Sequence, residues 1–91
     1  MKSSLKQKML KAMGMPEFIA KGQPEICLLG FEHISVENYT SILQYTSKEI
    51  MLRLLQGKVQ IEGNGLCVKD IGDGTIRIEG TIQQVRFLKE G

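Results

Sequence analysis

From residue 24 onward, apolar and polar side chains alternate in short runs separated by Gly, Asn, Asp and charged residues. Alternation with a period of two is typical of strands that bury one face, so we predict a single β domain over residues 24–91. The predicted strands are Glu25–Leu29, Glu32–Glu37, Ser41–Tyr45, Ile50–Leu55, Lys58–Glu62, Leu66–Asp70, Thr75–Glu79 and Ile82–Leu88. Residues 48–55 are rich in helix-favouring Leu, Met, Lys and Glu, which makes a helix the alternative there.

Two segments of this domain repeat one pattern seventeen residues apart. Residues 57–63 read Gly-Lys-Val-Gln-Ile-Glu-Gly, residues 74–80 read Gly-Thr-Ile-Arg-Ile-Glu-Gly, and residues 34–38 form a weaker third copy. Alternation predicts that the apolar residues of the two full copies face one core. These residues are Val59, Ile61, Ile76 and Ile78.

The turn dipeptides Asn64-Gly65 and Asp73-Gly74 favour hairpins between successive strands. We therefore predict a mainly β fold in which short antiparallel strands form a meander, folded as a sandwich or roll. A short β-solenoid with seventeen-residue rungs is the alternative architecture that the repeat allows.

Residues 1–23 differ from the β domain in charge and in pattern. Residues 1–21 hold five lysines against Glu17, which gives 5 − 1 = +4, whereas the whole chain carries +2. Helix formers run from Ser3 or Ser4 to Met13 before a Gly14 stop, and the apolar residues among them form a stripe. We predict a short basic amphipathic helix followed by a linker. Such a helix is too short to be stable alone, so it docks either on the open end of the β core or on another surface.

The residues of this helix predicted to contact a membrane or a partner include four lysines and two apolar residues. They are Lys2, Leu5, Lys6, Lys8, Met9 and Lys11. A basic amphipathic helix is typical of contact with an anionic membrane surface or an acidic partner. Nucleic-acid binding is not expected, since this segment has neither an arginine cluster nor an aromatic stacking platform.

The chain offers few residues for catalysis or metal binding. It has one histidine, His33, which alternates with Ile34 and is predicted to face solvent. Cys27 and Cys67 lie in apolar surroundings without a second ligand at metal spacing, so we predict two buried free thiols. Glu62 and Glu79 hold equivalent places in the repeat, but a polar residue is expected before any turn. We therefore expect no catalytic residue, no cofactor, no metal and no enzymatic activity.

The apolar runs and the proline positions suggest where the protein is located and whether it assembles. No apolar run is long enough for a signal peptide or a membrane span, which favours a cytoplasmic protein. Proline in an edge strand prevents a further strand from pairing there, and the sequence has no proline after Pro24. Thr81–Leu88 is a candidate edge strand. We expect a homo-oligomer.

An ordered set of residues between about Leu5 and Leu88 resembles one known family. The set comprises Pro24-Glu-Ile26, Gly30, Ile34-x-Val-Glu-Asn38, Ile50 to Leu55, Gly57-x-Val-x-Ile-x-Gly-x-Gly65, Ile71 and Ile76-x-Ile-x-Gly-x-Ile-x-x-Val-x-Phe87. It is similar to the YabP/YqfC family of sporulation proteins, and most like the YqfC branch.

The resemblance implies a small protein without known catalytic activity, made in the mother cell of an endospore-forming bacterium and required for normal spore formation. YqfC-like proteins are commonly encoded beside a larger membrane protein, YqfD, which implies a membrane-associated partner of that type. The family supplies no catalytic or ligand residues. The expected function is therefore a structural or interaction module that assembles with itself or docks on such a partner. A peripheral binder of membranes or anionic surfaces, acting through the basic helix, is the alternative.

Overall fold

Six antiparallel strands make up residues 22–89, the part of the chain that the computed structural model describes. In chain order they are β1 (Glu25–Leu29), β2 (His33–Glu37), β3 (Ser41–Tyr45), β4 (Glu49–Leu54), β5 (Gly57–Gly72) and β6 (Thr75–Lys89). The prediction of a mainly β fold is confirmed, and residues 49–54 form a strand rather than a helix. The predicted N-terminal helix lies outside the described residues.

The strands form one sheet in the order β1-β2-β6-β5-β4-β3, and all neighbours are antiparallel. Strands β3 to β6 follow the predicted meander. The hairpin of β1 and β2 instead lies on the side of β6 opposite β5, where Ile34 of β2 pairs with Ile78 of β6. A solenoid stacks its rungs in parallel, so that alternative is wrong.

Strands β5 and β6 are much longer than predicted, because each runs through two of the predicted strands. β5 has 16 residues and β6 has 15. The prediction of a hairpin turn at Asn64-Gly65 is therefore wrong, because this dipeptide lies within β5. Asp73-Gly74 is the predicted two-residue turn, and its φ angles of 46° and 78° are the two positive values that a type I′ turn requires.

Both long strands bend at the same place, near Gly63 and Gly80. The β5–β6 register shifts on either side of this place, as β-bulges do, and bulges increase the local bend and twist of a strand. Residues just outside the neighbouring strands also bond to the bend. The amide of Gly63 donates to the carbonyl oxygen of Lys48 (3.0 Å), and the amide of Gly80 donates to the carbonyl oxygen of Glu32 (3.1 Å). The sheet therefore curls, so that its two halves share one core.

The core is a single cluster of buried side chains from both halves of the sheet. Its members are Ile34, Val36, Ile50, Leu52, Leu54, Val59, Ile61, Leu66, Ile76 and Ile78. The prediction that the apolar residues of both repeats face inward is confirmed, since all four are at most 1% exposed. Burying a side chain of this size contributes about 1.5–3 kcal/mol, which makes this cluster the main source of stability.

Tyr45, at the end of β3, ties the two halves together. Its hydroxyl oxygen accepts a hydrogen bond from the amide of Val68, 3.0 Å away in the far half of β5. Val68 stands next to a register shift of the β5–β6 pairing. The side chain thus supplies a partner to a backbone amide at a place where the ladder is irregular.

The predicted edge at Thr81–Leu88 is confirmed for its last part. Residues 75–79 of β6 lie between β2 and β5. From Gln84 onward, β6 pairs only with β5 among the described strands. The curled sheet therefore has an open edge there, in addition to those at β1 and β3.

Candidate interaction surfaces

Large apolar side chains are exposed at particular places on the described part of the chain. They are Leu28, Leu29, Phe31, Ile42, Leu43, Tyr45, Leu55, Ile71 and Phe87. Scattered apolar residues on a surface are ordinary, whereas contiguous ones rimmed by polar residues mark interaction sites. Two groups stand out: three residues in and just after the edge strand β1, and an apolar groove at the ends of β4 and β6.

The first group, which we call the β1 surface, consists of Leu28, Leu29 and Phe31. Their exposed fractions are 51%, 71% and 81%. Leu28 and Leu29 end the edge strand, and Gly30 with a φ of 62° turns the chain sharply towards β2. The backbone of Phe31 is fixed because its carbonyl oxygen accepts a hydrogen bond from Ile82 (2.8 Å). Its ring is nevertheless left in solvent.

The second group, the terminal groove, is lined by apolar side chains where the β4–β5 hairpin meets the end of β6. Its apolar residues are Pro24, Leu54, Leu55, Phe87 and Leu88. It has a volume of about 260 Å³, enough for a few side chains of a bound segment.

Two lysines, Lys58 and Lys89, also line the terminal groove. An apolar floor with a positive rim complements a segment that presents apolar anchors flanked by acidic residues. The groove therefore favours a protein segment over a free polar metabolite.

Another groove lies along β1, β2 and β6. It is lined by Cys27, Leu29, His33, Ile34, Ser35, Arg77, Ile78 and Glu79. His33 Nδ1 lies 3.9 Å from Glu79 Oε2, and both side chains are well exposed, at 49% and 39%. This separation is too long for a hydrogen bond, and an exposed pair of this kind contributes at most about 1 kcal/mol. The prediction that His33 faces solvent is confirmed.

The prediction of two buried thiols is wrong, since Cys27 and Cys67 are both exposed and free. In β1, Ile26 and Leu28 pair with the core residues Val36 and Ile34, so Cys27 between them points to the other face. Cys27 and Cys67 are three strands apart in the sheet, which corresponds to about 14 Å. A disulfide within one chain would need Cα atoms closer than about 7 Å.

Glu62 and Glu79, equivalent in the repeat, are not brought together. Glu62 pairs with Glu49 and Gln84, whereas Glu79 pairs with His33 on the other half of the sheet. Within residues 22–89, His, Cys, Asp and Glu nowhere form a group of three or more that could hold a metal ion. Nor does this range contain a helix long and apolar enough to cross a membrane.

The six residues predicted to contact a membrane or partner lie outside the described residues. Sequence reasoning did not single out the exposed apolar side chains, although a signal was present. Leu28-Leu29, Leu54-Leu55 and Phe87-Leu88 are apolar doublets at strand ends. Successive side chains of a strand point to opposite faces, so one member of each doublet had to leave the core.

Comparisons with known proteins agree on one family. The model of the YabP family matches residues 20–91. "Uncharacterized protein YqfC" of Bacillus subtilis (strain 168) is 32% identical over 88 residues, which cover 97% of this chain and 95% of that protein. No solved structure matches the chain. The match covers all six strands together with the β1 surface and the terminal groove, and the chain therefore belongs to the YabP family.

Proposed function

We propose that the protein is a non-enzymatic interaction module of spore formation in the mother cell, which assembles with itself or docks on a membrane-associated partner. The link to spore formation comes from the resemblance to sporulation proteins of this family. The mode of action comes from the exposed apolar surfaces.

The observation that carries the proposal is the contrast between a sealed core and concentrated apolar exposure. Every core residue is at most 6% exposed, yet Phe31, Leu29 and Phe87 are 81%, 71% and 64% exposed. Exposed apolar patches lower the solubility of an isolated domain and mark interaction sites. Aromatic side chains such as those of Phe31 and Phe87 are enriched at the centres of protein interfaces.

The terminal groove is the proposed docking site for the membrane-associated partner, a protein of the YqfD type. Its apolar lining would receive apolar anchors of a partner segment, and Lys58 and Lys89 would attract acidic residues beside them. The partner segment that fits is therefore amphipathic and acidic.

Phe87→Asp is expected to abolish recruitment to this partner, because it removes the exposed ring and adds a negative charge that repels acidic residues. When the chain is co-expressed with the YqfD-type membrane protein, the fraction that sediments with membranes should fall at least about tenfold. Loss of an aromatic anchor commonly costs about 2 kcal/mol or more, and about 1.4 kcal/mol already corresponds to tenfold.

Ile71→Asp is the matched control, because Ile71 is exposed to a similar degree, 55%, but does not line the groove. Its membrane fraction should equal that of the wild-type chain. If Phe87→Asp sediments as well as Ile71→Asp, docking through the terminal groove is wrong.

A second candidate function, peripheral binding to anionic membranes, is favoured by the charge of +4 in residues 1–21. Each lysine near an anionic membrane contributes about 1 kcal/mol. Reversing Lys2, Lys6, Lys8 and Lys11 to Glu should therefore weaken sedimentation with phosphatidylserine-containing vesicles by more than about 100-fold.

The control for this experiment is a Lys48→Glu/Lys69→Glu variant, which changes lysines of the β domain. Vesicles of phosphatidylcholine alone supply the uncharged reference surface. Equal binding to both vesicle types, or unchanged binding of the four-lysine variant, would rule out the second candidate.

A further inference from the structure

We propose that two copies of the chain pair through β1, antiparallel and edge to edge, so that their sheets become one continuous sheet. The proposed pairing rests on the proposed self-assembly. It specifies which strand makes the contact between the two copies, in which register, and with which symmetry. A contact of this kind is isologous: the same five residues, Glu25–Leu29, serve on both copies.

β1 is the best template among the open edges. All five of its residues pair with β2 in an unbroken register, so the backbone groups of its other side are regularly spaced. Within residues 22–89, that other side has no strand beside it. A regular strand that lies at the edge of a sheet readily accepts a further strand.

The other edges carry features that hinder self-pairing. β3 has a register shift between Ile42 and Gln44, and such bulges disturb the spacing that a new strand would need. The free end of β6 carries Arg86 and Lys89, and two copies would bring these positive charges together. β1 carries a single charge, that of Glu25.

The pleat of β1 fixes the register. Residues directly opposite each other in an antiparallel pair point to the same face, so only registers centred on a residue keep the core face of both copies on one side. A register centred on Ile26 would place Pro24, which has no amide hydrogen, opposite Leu28 of the second copy. A register centred on Leu28 would place the turn residue Gly30 opposite Ile26 of the second copy. Centring on Cys27 pairs all five residues of the strand.

In this register Leu28 lies opposite Ile26 of the second copy on the core face. Leu29 lies opposite Glu25 of the second copy on the other face, so no like charges meet. The pairing would cover Leu28, which is 51% exposed in one chain. It also places Cys27 directly opposite Cys27 of the second copy, with Cα atoms about 4.5–5.5 Å apart.

Crosslinking with a short bismaleimide tests this geometry, because the reagent joins two thiols only when they lie close together. Full-length Cys67→Ser retains Cys27 and should form a covalent dimer rapidly at micromolar concentration. Cys27→Ser retains Cys67, which is also exposed but lies seven strand spacings from its counterpart, about 30 Å or more. Its dimer yield should be at least about tenfold lower.

Leu28→Lys in the Cys67→Ser background tests the edge itself, because lysine on an edge strand opposes pairing. Its dimer yield should fall at least about tenfold, while Ile42→Lys, a change at the β3 edge, leaves it unchanged. Circular dichroism of both variants should match the parent, since both positions are partly exposed.

Light scattering separates the possible failures. Dimers or larger species in which Cys27 does not crosslink would overturn pairing through β1 and leave self-assembly standing. A monomer at all concentrations, without crosslinking, would overturn both. Crosslinking that persists in Leu28→Lys, or that is equally strong through Cys67, would also overturn pairing through β1.

Discussion

Gly63→Ala is expected to lower the free energy of unfolding by about 3 kcal/mol or more, because the strands at the bend leave no room for a side chain. A Cβ atom at residue 63 would lie only 1.9 Å from the carbonyl oxygen of Thr81 in β6. Since that atom belongs to the backbone of a paired strand, relief requires the two strands to separate. For a domain of this size the melting temperature should fall by more than about 12 °C.

Gly72→Ala is the matched control, at the far end of the same strand. A Cβ atom there would meet nothing within 4 Å, and Gly72 is not among the residues with positive φ. Stability should be unchanged, or higher by up to about 1 kcal/mol, because alanine restricts the unfolded chain more than glycine does. Thermal unfolding followed by circular dichroism measures both variants. Equal melting temperatures for the two would contradict the close approach at the bend.

The repeat predicted the core of the fold but not the path of the strands. Val59, Ile61, Ile76 and Ile78 face inward as alternation requires, because a strand with one apolar face must bury that face. The same local pattern carries no information on whether Asn64-Gly65 forms a turn or a bulge. Long-range contacts decide this, since Gly63 and Gly80 pass close to the opposing backbone and hold the strands together through the bend.

The exposure of Cys67 follows from the irregular pairing near Gly65. Counting by twos from Ile61 places residue 67 on the core face. The irregular pairing near Gly65 shifts the count by one residue, so Leu66 is buried and Cys67 is exposed. A single unrecognised bulge therefore reverses the predicted face, core or solvent, of every following side chain until the next irregularity in the strand.

The candidate interaction surfaces were harder to predict, because they depend on which strands lie at the edges. β1 reads as a wholly apolar run after Glu25, and such a run is equally typical of a central strand. The three-residue connection at residues 38–40 crosses from β2, which lies beside β6, to β3, so that β1 lies at one end of the sheet and β3 at the other. Turn residues nearby in sequence do not encode this crossover. The doublet predicts that one of Leu28 and Leu29 leaves the core, whereas the exposure of both follows only from the position of β1 at the edge.

The shared core predicts that the two halves of the curled sheet unfold together. Ile78 lies close to the bend at Gly80: it pairs with Ile34 of β2 and with Val68 of β5, and its side chain, 1% exposed, belongs to the core cluster that both halves share. The surrounding core residues are themselves almost fully buried, so neighbouring side chains have little freedom to fill a gap. A truncation at this position should therefore weaken both halves at once.

Ile78→Ala is expected to lower the free energy of unfolding by about 2–4 kcal/mol, through lost burial and the cavity left behind. Ile71→Ala makes the same chemical change in β5 at a residue that is 55% exposed, and should cost less than about 0.5 kcal/mol. Urea unfolding followed by circular dichroism and by tyrosine fluorescence should give one coincident transition for each variant. Equal midpoints for the two variants, or separate transitions for Ile78→Ala, would contradict a single core shared by both halves of the sheet.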